Sequence, residues 1–365
     1  MSRGVTAVRA IGLAAALVGA LGPAGAGEPP AGEPPAGEPP AGSGLARLWL
    51  DVQRAVQTAV AERSRRPPVP VQVTWRERRL ASIDLGAPLL ALAAVDLDRD
   101  GRSELAALTT DSVVLIASAG KTVRELARVA LPGDPAVIRP RDPVGALAVD
   151  ARGASVELLV RSSELAEGVA LTWHSGALRE ERRLPGFPLC AGMQAELAPG
   201  RNYFESATVR WEERAPTRFE PPAAFLAAQC RADLIDPAGH PMTVTAVIDT
   251  DRIAHLACRA AQGECPVGPT QGGDYAGVGW ALEVADVDND GSPELLTTRG
   301  GAPGDRDRVS VYSRQGGRVA RVFTKEFHAG VVGLVAGDLD GDGDRDVVVA
   351  VRFVGSRHVS FWTLN

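Results

Sequence analysis

Three stretches of the chain repeat one pattern without a gap: LAAVDLDRDGRSELAAL (Leu92–Leu108), LEVADVDNDGSPELLTT (Leu282–Thr298) and LVAGDLDGDGDRDVVVA (Leu334–Ala350). In each, an apolar run meets Asp-x-Asp-x-Asp-Gly-x-x-acid, and a second apolar run begins at once. Carboxylates this dense repel one another, and Asp and Gly favour turns over strands. Such a loop can lead straight into a buried strand only if something neutralises it.

A cation does this with few requirements. Alternate residues of a tight loop point inward, so positions 1, 3, 5 and 9 can converge on one ion. The first loop offers Asp96, Asp98, Asp100 and Glu104; the second Asp286, Asp288, Asp290 and Glu294; the third Asp338, Asp340, Asp342 and Asp346. Gly101, Gly291 and Gly343 at position 6 allow the sharp turn, and the carbonyl of position 7 (Arg102, Ser292, Asp344) is a further oxygen. Hard oxygen donors in a flexible loop favour Ca²⁺ over Mg²⁺, which demands near-ideal octahedral geometry. About three bound Ca²⁺ ions are expected, with a structural role. An EF-hand is excluded: its position 12 must be an acid between helices, whereas Ala107, Thr297 or Val349 stands there, followed by strand-like sequence. Three solvated turns without metal would force four carboxylates together three times over.

From Val69 onward the pattern is of strands. VQVTW, DSVVLIAS, VELLVRS, MTVTAVID, RVSVYS and HVSFWTL are short, β-branched or alternating, and separated by Gly, Pro or charge. Many short strands suggest a sandwich or a propeller. Here the repeats resemble the FG-GAP/VCBS family, whose repeats also build the propellers of integrin α subunits. The resemblance covers mainly residues 88–131 and 279–363. It is closer to the VCBS type, since no Phe-Gly pair precedes the loops. It implies a propeller in which the Asp-rich loop joins the first two strands of a blade and holds structural calcium on the twelve acids named above.

Spacing extends the idea. Asp286 and Asp338 lie 52 residues apart (from 286 to 338). ALAVDARGASVELLV (Ala146–Val160) places Asp150 54 residues after Asp96 (from 96 to 150) and keeps the apolar-Asp-turn-Glu-apolar shape without the second and third aspartates. It reads as a blade without metal. The long stretch from Asp150 to Asp286 leaves room for two divergent blades. The expected fold is therefore all-β, a β-propeller of about six four-stranded blades, with five to seven in range, occupying residues 67–365. After the third loop only two more strands fit before the end, and RRLASIDLG (Arg78–Gly86) can supply the missing outer strand and close the ring.

Ahead of the propeller, Arg3 and Arg9 precede the apolar run Ile11–Gly22, and Ala24-Gly25-Ala26 supplies small residues for cleavage. Residues 1–26 read as a secretory signal peptide, too short to span a bilayer comfortably. Residues 27–43 repeat Gly-Glu-Pro-Pro-Ala and read as a polyproline-type linker. Residues 44–66 place Leu45, Leu48, Trp49, Val52, Val56 and Val60 at helical spacing, an amphipathic helix stopped by Pro67 and Pro68. The expected location is exported: periplasmic, cell-surface or extracellular, and not integral to a membrane once processed. Four cysteines in an oxidising compartment suggest two disulfides. Cys258–Cys265 closes a short turn and would leave Cys190–Cys230; a zinc site on His255, Cys258 and Cys265 lacks a fourth ligand.

No catalytic constellation is visible. The five histidines fall in separate segments without metalloprotease spacing, and there is no Gly-x-Ser-x-Gly elbow. Gly120-Lys121-Thr122 looks like the end of a phosphate loop, but Leu115 stands where its first glycine belongs. A net charge of −6 without a basic, aromatic-interleaved patch argues against nucleic acid. The expectation is a non-enzymatic binding, adhesion or scaffold module for a protein or glycan of the cell envelope or matrix. The alternative is a secreted propeller enzyme, carbohydrate-active in kind.

Overall fold

The strands after the acidic loops are apolar throughout rather than alternating, and the structure gives the reason. The computed structural model describes residues 75–365 except 120–121, 137–142, 152–154, 191–192, 199–207, 212–224, 237, 261–274, 300–305, 316–317, 354–355 and 357. All of the described residues fall in the unit Val60–Asn365. The expected signal peptide, linker and amphipathic helix lie outside them. The described secondary structure is all β, in five sheets set around a channel as a five-bladed propeller.

Blade 1 is β2 (Leu89–Val95), β3 (Glu104–Thr109), β4 (Ser112–Ala119) and β5 (Thr122–Ala130). Blade 2 is β6 (Gly145–Asp150), β7 (Glu157–Ser162), β8 (Gly168–His174) and β9 (Ala177–Leu184). Blade 4 is β16 (Leu282–Ala285), β17 (Glu294–Thr298), β18 (Asp307–Gln315) and β19 (Arg318–Phe327). Each is an antiparallel meander. Both faces of a blade pack on neighbouring blades, so β3 and β17 are buried at every position. A strand buried on both faces reads as a continuous apolar run. Outer strands meet water: β9 (ALREERRL) is exposed at most positions, and its charges guard an open edge.

Blade 3 sets the count at five, the lower end of the expected five to seven. The stretch expected to hold two divergent blades forms one sheet of six strands: β10 (Phe187–Cys190), β11 (Met193–Ala198), β12 (Thr208–Trp211), β13 (Phe225–Ile235), β14 (Pro241–Asp249) and β15 (Ala254–Ala260). The pairing of Val209 with Phe225 joins β10–β12 to β13–β15. Extra strands lengthen one blade, so five blades close the ring.

Closure is as the ends of the chain imply. Blade 5 contains β20 (Gly330–Gly337), β21 (Asp346–Arg352) and β22 (His358–Leu364), and its outer strand is β1 (Glu77–Asp84). β1 runs antiparallel to β22, with Glu77 opposite Leu364 and Asp84 opposite His358. The first and last strands are thus laced together. The core lies between blades: Leu80, Leu105, Ile116, Val335, Val348 and Phe361 fill the layer between blades 5 and 1. Backbones approach closely there. A Cβ on Gly337 would lie 2.6 Å from that of Ala94, so a larger residue would force the two blades apart.

Phe361 on β22 is completely buried in this layer. Phe361→Ala should therefore lower the unfolding free energy by about 3–5 kcal/mol, measured by urea denaturation. A loss under about 1 kcal/mol would show that the closing blade contributes little to the fold.

Candidate functional site

The three acidic loops occupy equivalent places. Each joins the first strand of a blade to the second: β2 to β3, β16 to β17 and β20 to β21. The position-9 acid pairs with the residue just before position 1, as Val95 with Glu104, Ala285 with Glu294 and Gly337 with Asp346. Inner strands of neighbouring blades run in the same sense, so all three loops lie at one end of the channel.

Inside each loop the carboxylates wrap around backbone amides. Asp96 accepts hydrogen bonds from the amides of Asp100 (3.1 Å) and Gly101 (3.0 Å). Asp286 accepts them from Asp290 (3.1 Å) and Gly291 (2.9 Å), and Asp338 from Asp342 (3.2 Å) and Gly343 (2.9 Å). The position-3 carboxylate accepts the position-5 amide, and the position-5 carboxylate accepts the amide of Arg102, Ser292 or Asp344. This winding needs two left-handed residues. Gly101, Gly291 and Gly343 have φ of 89°, 86° and 89°. Position 4 is also left-handed, at Arg99 (62°), Asn289 (59°) and Gly341 (78°), a requirement the sequence pattern had not disclosed.

The acids converge in threes. Ligand atoms of Asp96, Asp98 and Glu104 lie within 4.8 Å of one another, as do those of Asp286, Asp288 and Asp290, and those of Asp338, Asp340 and Asp342. Asp100, Glu294 and Asp346 stand outside these groups. All three position-9 acids bond the second loop residue: Glu104, Glu294 and Asp346 accept the amides of Leu97 (3.0 Å), Val287 (3.1 Å) and Leu339 (3.4 Å). Arg102, Ser292 and Asp344 meet the carboxylates through their amides.

The electrostatics fit a cation. Glu294 is fully buried, and its Oε1 has no hydrogen-bond partner. Burial, then the charges of Asp288, Asp286 and Asp290, push its carboxyl up to about 9. Glu104 is pushed up to about 7 by burial and by Asp98, Asp96 and Asp100. Asp346 rises to about 6 through burial and Asp340, and burial also raises Asp286. An all-oxygen group of three carboxylates, with the buried, unpartnered Glu294 oxygen in the same loop, suits a hard divalent ion.

Loop contacts cross blade boundaries. The Ser103 amide of the first loop donates to the Asp338 carbonyl of the third (2.6 Å), and Asn289 of the second donates Nδ2 to Asp344 (3.2 Å). The Asn365 side chain donates to Asp346 (3.1 Å), tying the last residue to the third loop. In blade 2, Asp150 pairs with Glu157 and so corresponds to Val95 rather than to Asp96. Its loop, residues 151–156, is two residues shorter than the eight of residues 96–103, too short for the winding seen in the other three.

A pH dependence follows. The Glu294 carboxyl sits at about 9 in the fold against an ordinary 4.5. The ion-free fold therefore holds an extra proton between those values, and its stability falls as pH rises through them. Glu104, at about 7, acts in the same direction over a narrower window. In chelator the melting temperature should drop between pH 5 and pH 9. Added divalent ion should restore it most at the high end, because the ligands must be deprotonated. Glu294→Gln should flatten the slope. A chelated protein whose melting temperature rises over this range would contradict the assignment.

Comparison with known proteins places these loops. Residues 286–349, spanning the second and third loops, match the model of the FG-GAP-like repeat family. No curated protein matches the chain. Among solved structures, one described as a putative oxidoreductase (glucose dehydrogenase) from Thermus thermophilus aligns at 14% identity with a TM-score of 0.41, covering 80% of this chain and 100% of its own. The chain carries FG-GAP-like repeats on a five-bladed β-propeller.

Proposed function

We propose that the protein is an exported, calcium-binding propeller that acts as a non-enzymatic binding or scaffold module. The observation that carries this is the wound, carboxylate-lined loop, repeated at one end of three adjoining blades. Its acids wrap the loop's own backbone amides and bring three carboxylates of each loop within 4.8 Å of one another. An ion there ties two strands and leaves no open position for substrate, whereas a catalytic metal keeps one. With a Kd of about 0.1 mM in about 1 mM Ca²⁺, each ion would stabilise the fold by about 1.4 kcal/mol. The propeller then presents its remaining surface to a protein or glycan of the cell envelope or matrix.

The cysteines support export. Cys230 and Cys258 are each disulfide-bonded. They lie on β13 and β15, which flank β14, so two strand spacings of about 4.8 Å separate them, too far to bond each other. The proposed partners, Cys190 and Cys265, fall where side chains are not described. Among the described residues no helix is long and apolar enough to cross a membrane.

The mature protein should bind about three Ca²⁺ ions by native mass spectrometry and melt lower in chelator. Asp340→Ala should lower the melting temperature in Ca²⁺ while leaving a folded chain by circular dichroism. No bound calcium and an unchanged melting temperature would sink the reading. So would glycan or ester turnover by the wild type that a folded Asp340→Ala lacks.

Thiol labelling under denaturing, non-reducing conditions should find no free cysteine. Labelling of all four would overturn both the disulfides and the oxidising compartment.

A further inference from the structure

The inner strands β2, β6, β13, β16 and β20, with Leu189 of β10, line a central channel of ≈ 1610 Å³. Its walls are mostly Ala, Leu, Val and Gly. One polar cluster interrupts them. Glu283 is fully buried and accepts from Gln229 Nε2 (2.7 Å) and Arg231 Nη1 (3.2 Å), so the one acid deep in the wall is already neutralised.

The two ends of the channel differ. Acidic loops crown the end at which the inner strands finish. At the other end, Trp280 precedes β16, and Gly330, which opens β20, pairs with Arg352. Trp280 is 52% exposed, and Phe353, which follows Arg352 in sequence, is 55% exposed, two of the three exposed large hydrophobic residues among those described. Arg252, on the β14–β15 turn, holds its guanidinium 5.8 Å from the Trp280 ring centroid and reaches the Arg299 carbonyl (3.5 Å). Arg352 lines the same channel, and its guanidinium makes no hydrogen bond or ion pair among the described residues. The acids nearby are Asp249, engaged by His255 (2.7 Å) and by the amides of Asp251 and Ile253; Asp251 itself, which is exposed; and buried Asp307, which accepts the amides of Arg299, Arg308 and Val331. An otherwise acidic protein thus opens its channel at this end with arginines and an indole.

We propose that this mouth binds a carboxylated sugar of the uronic-acid type. The apolar face of a pyranose ring matches the exposed indole, and a carboxylate matches the planar donor fork of Arg352. The channel exceeds the roughly 300–1,000 Å³ of an ordinary small-molecule site, so it has room for more than one ring. The assignment rests on the binding-module reading and names its ligand class.

Titration calorimetry of the mature protein in Ca²⁺ tests it, with free galacturonate, trigalacturonate, a neutral galactose trisaccharide and triglutamate as probes. Trigalacturonate should bind, and more tightly than the free sugar acid; stronger binding by the monomer would assign the site to a free metabolite and overturn the oligosaccharide. Arg352→Gln and Trp280→Ala should each weaken binding about tenfold or more, with melting temperatures unchanged. Trp280→Phe should keep binding within about threefold. Four results overturn the proposal: no binding by the folded wild type; equal binding of the neutral trisaccharide or of triglutamate; undiminished binding by both variants; or binding lost only in Asp340→Ala, which would put the sugar on the ion loops. Loss of the sugar site would leave the calcium measurements standing, whereas turnover of bound sugar would overturn the non-enzymatic reading and keep the site.

Discussion

Everything in this fold answers to one constraint: carboxylates crowded at the rim of sheets that are buried on both faces. The loop acids cannot move into water without pulling the second strand of the blade with them, because Glu104, Glu294 and Asp346 are the first residues of β3, β17 and β21. They cannot stay together charged without a counter-ion. The backbone supplies part of the answer, since Asp96 and Asp286 are each wrapped by two amides and Asp338 by three. Amide dipoles do not neutralise Glu294, whose second oxygen has no partner. A divalent ion bound there would complete what the loop begins.

The same loops bear on closure of the ring. The third loop sits on the blade built from both ends of the chain. Its Asp346 holds Asn365, and the amides of Arg76 and Asn365 bond each other's carbonyls. Through Ser103 and Asn289 it also touches the loops on either side. An ion at the third loop would therefore act where the first and last described strands are laced and where three blades meet. Elsewhere blades are joined by fixed polar ties. Buried Asp307 accepts the amides of Arg299 and Arg308 with one oxygen and that of Val331, on blade 5, with the other.

What the sequence discloses follows from the range of each interaction. The acidic loops are local, so their spacing, their position-6 glycines and their place between two strands are legible in a dozen residues. Closure by β1 is legible because the strands remaining after the third loop can be counted. Blade 3 is not legible: it has no loop motif, and whether β10–β12 form a separate blade or extend the β13–β15 sheet depends on the long-range pairing of Val209 with Phe225. Asp150 misleads for a related reason. It keeps the residue type of position 1, but a loop shortened by two residues leaves it on the strand. Asp307 and the Asn289–Asp344 bond give no signal at all, since each depends on a neighbouring blade. The channel mouth is hidden likewise, because Trp280, Arg252 and Arg352 come from three blades.

Amide hydrogen exchange at Gly101, Gly291 and Gly343 tests most directly whether an ion holds these loops closed. Each of these amides donates to the position-1 aspartate of its own loop. In Ca²⁺ all three should exchange slowly, and in chelator they should exchange much faster, while buried core amides such as Val348 change far less. Equal protection of the three glycines with and without calcium would show that the loops close without an ion, contradicting the account.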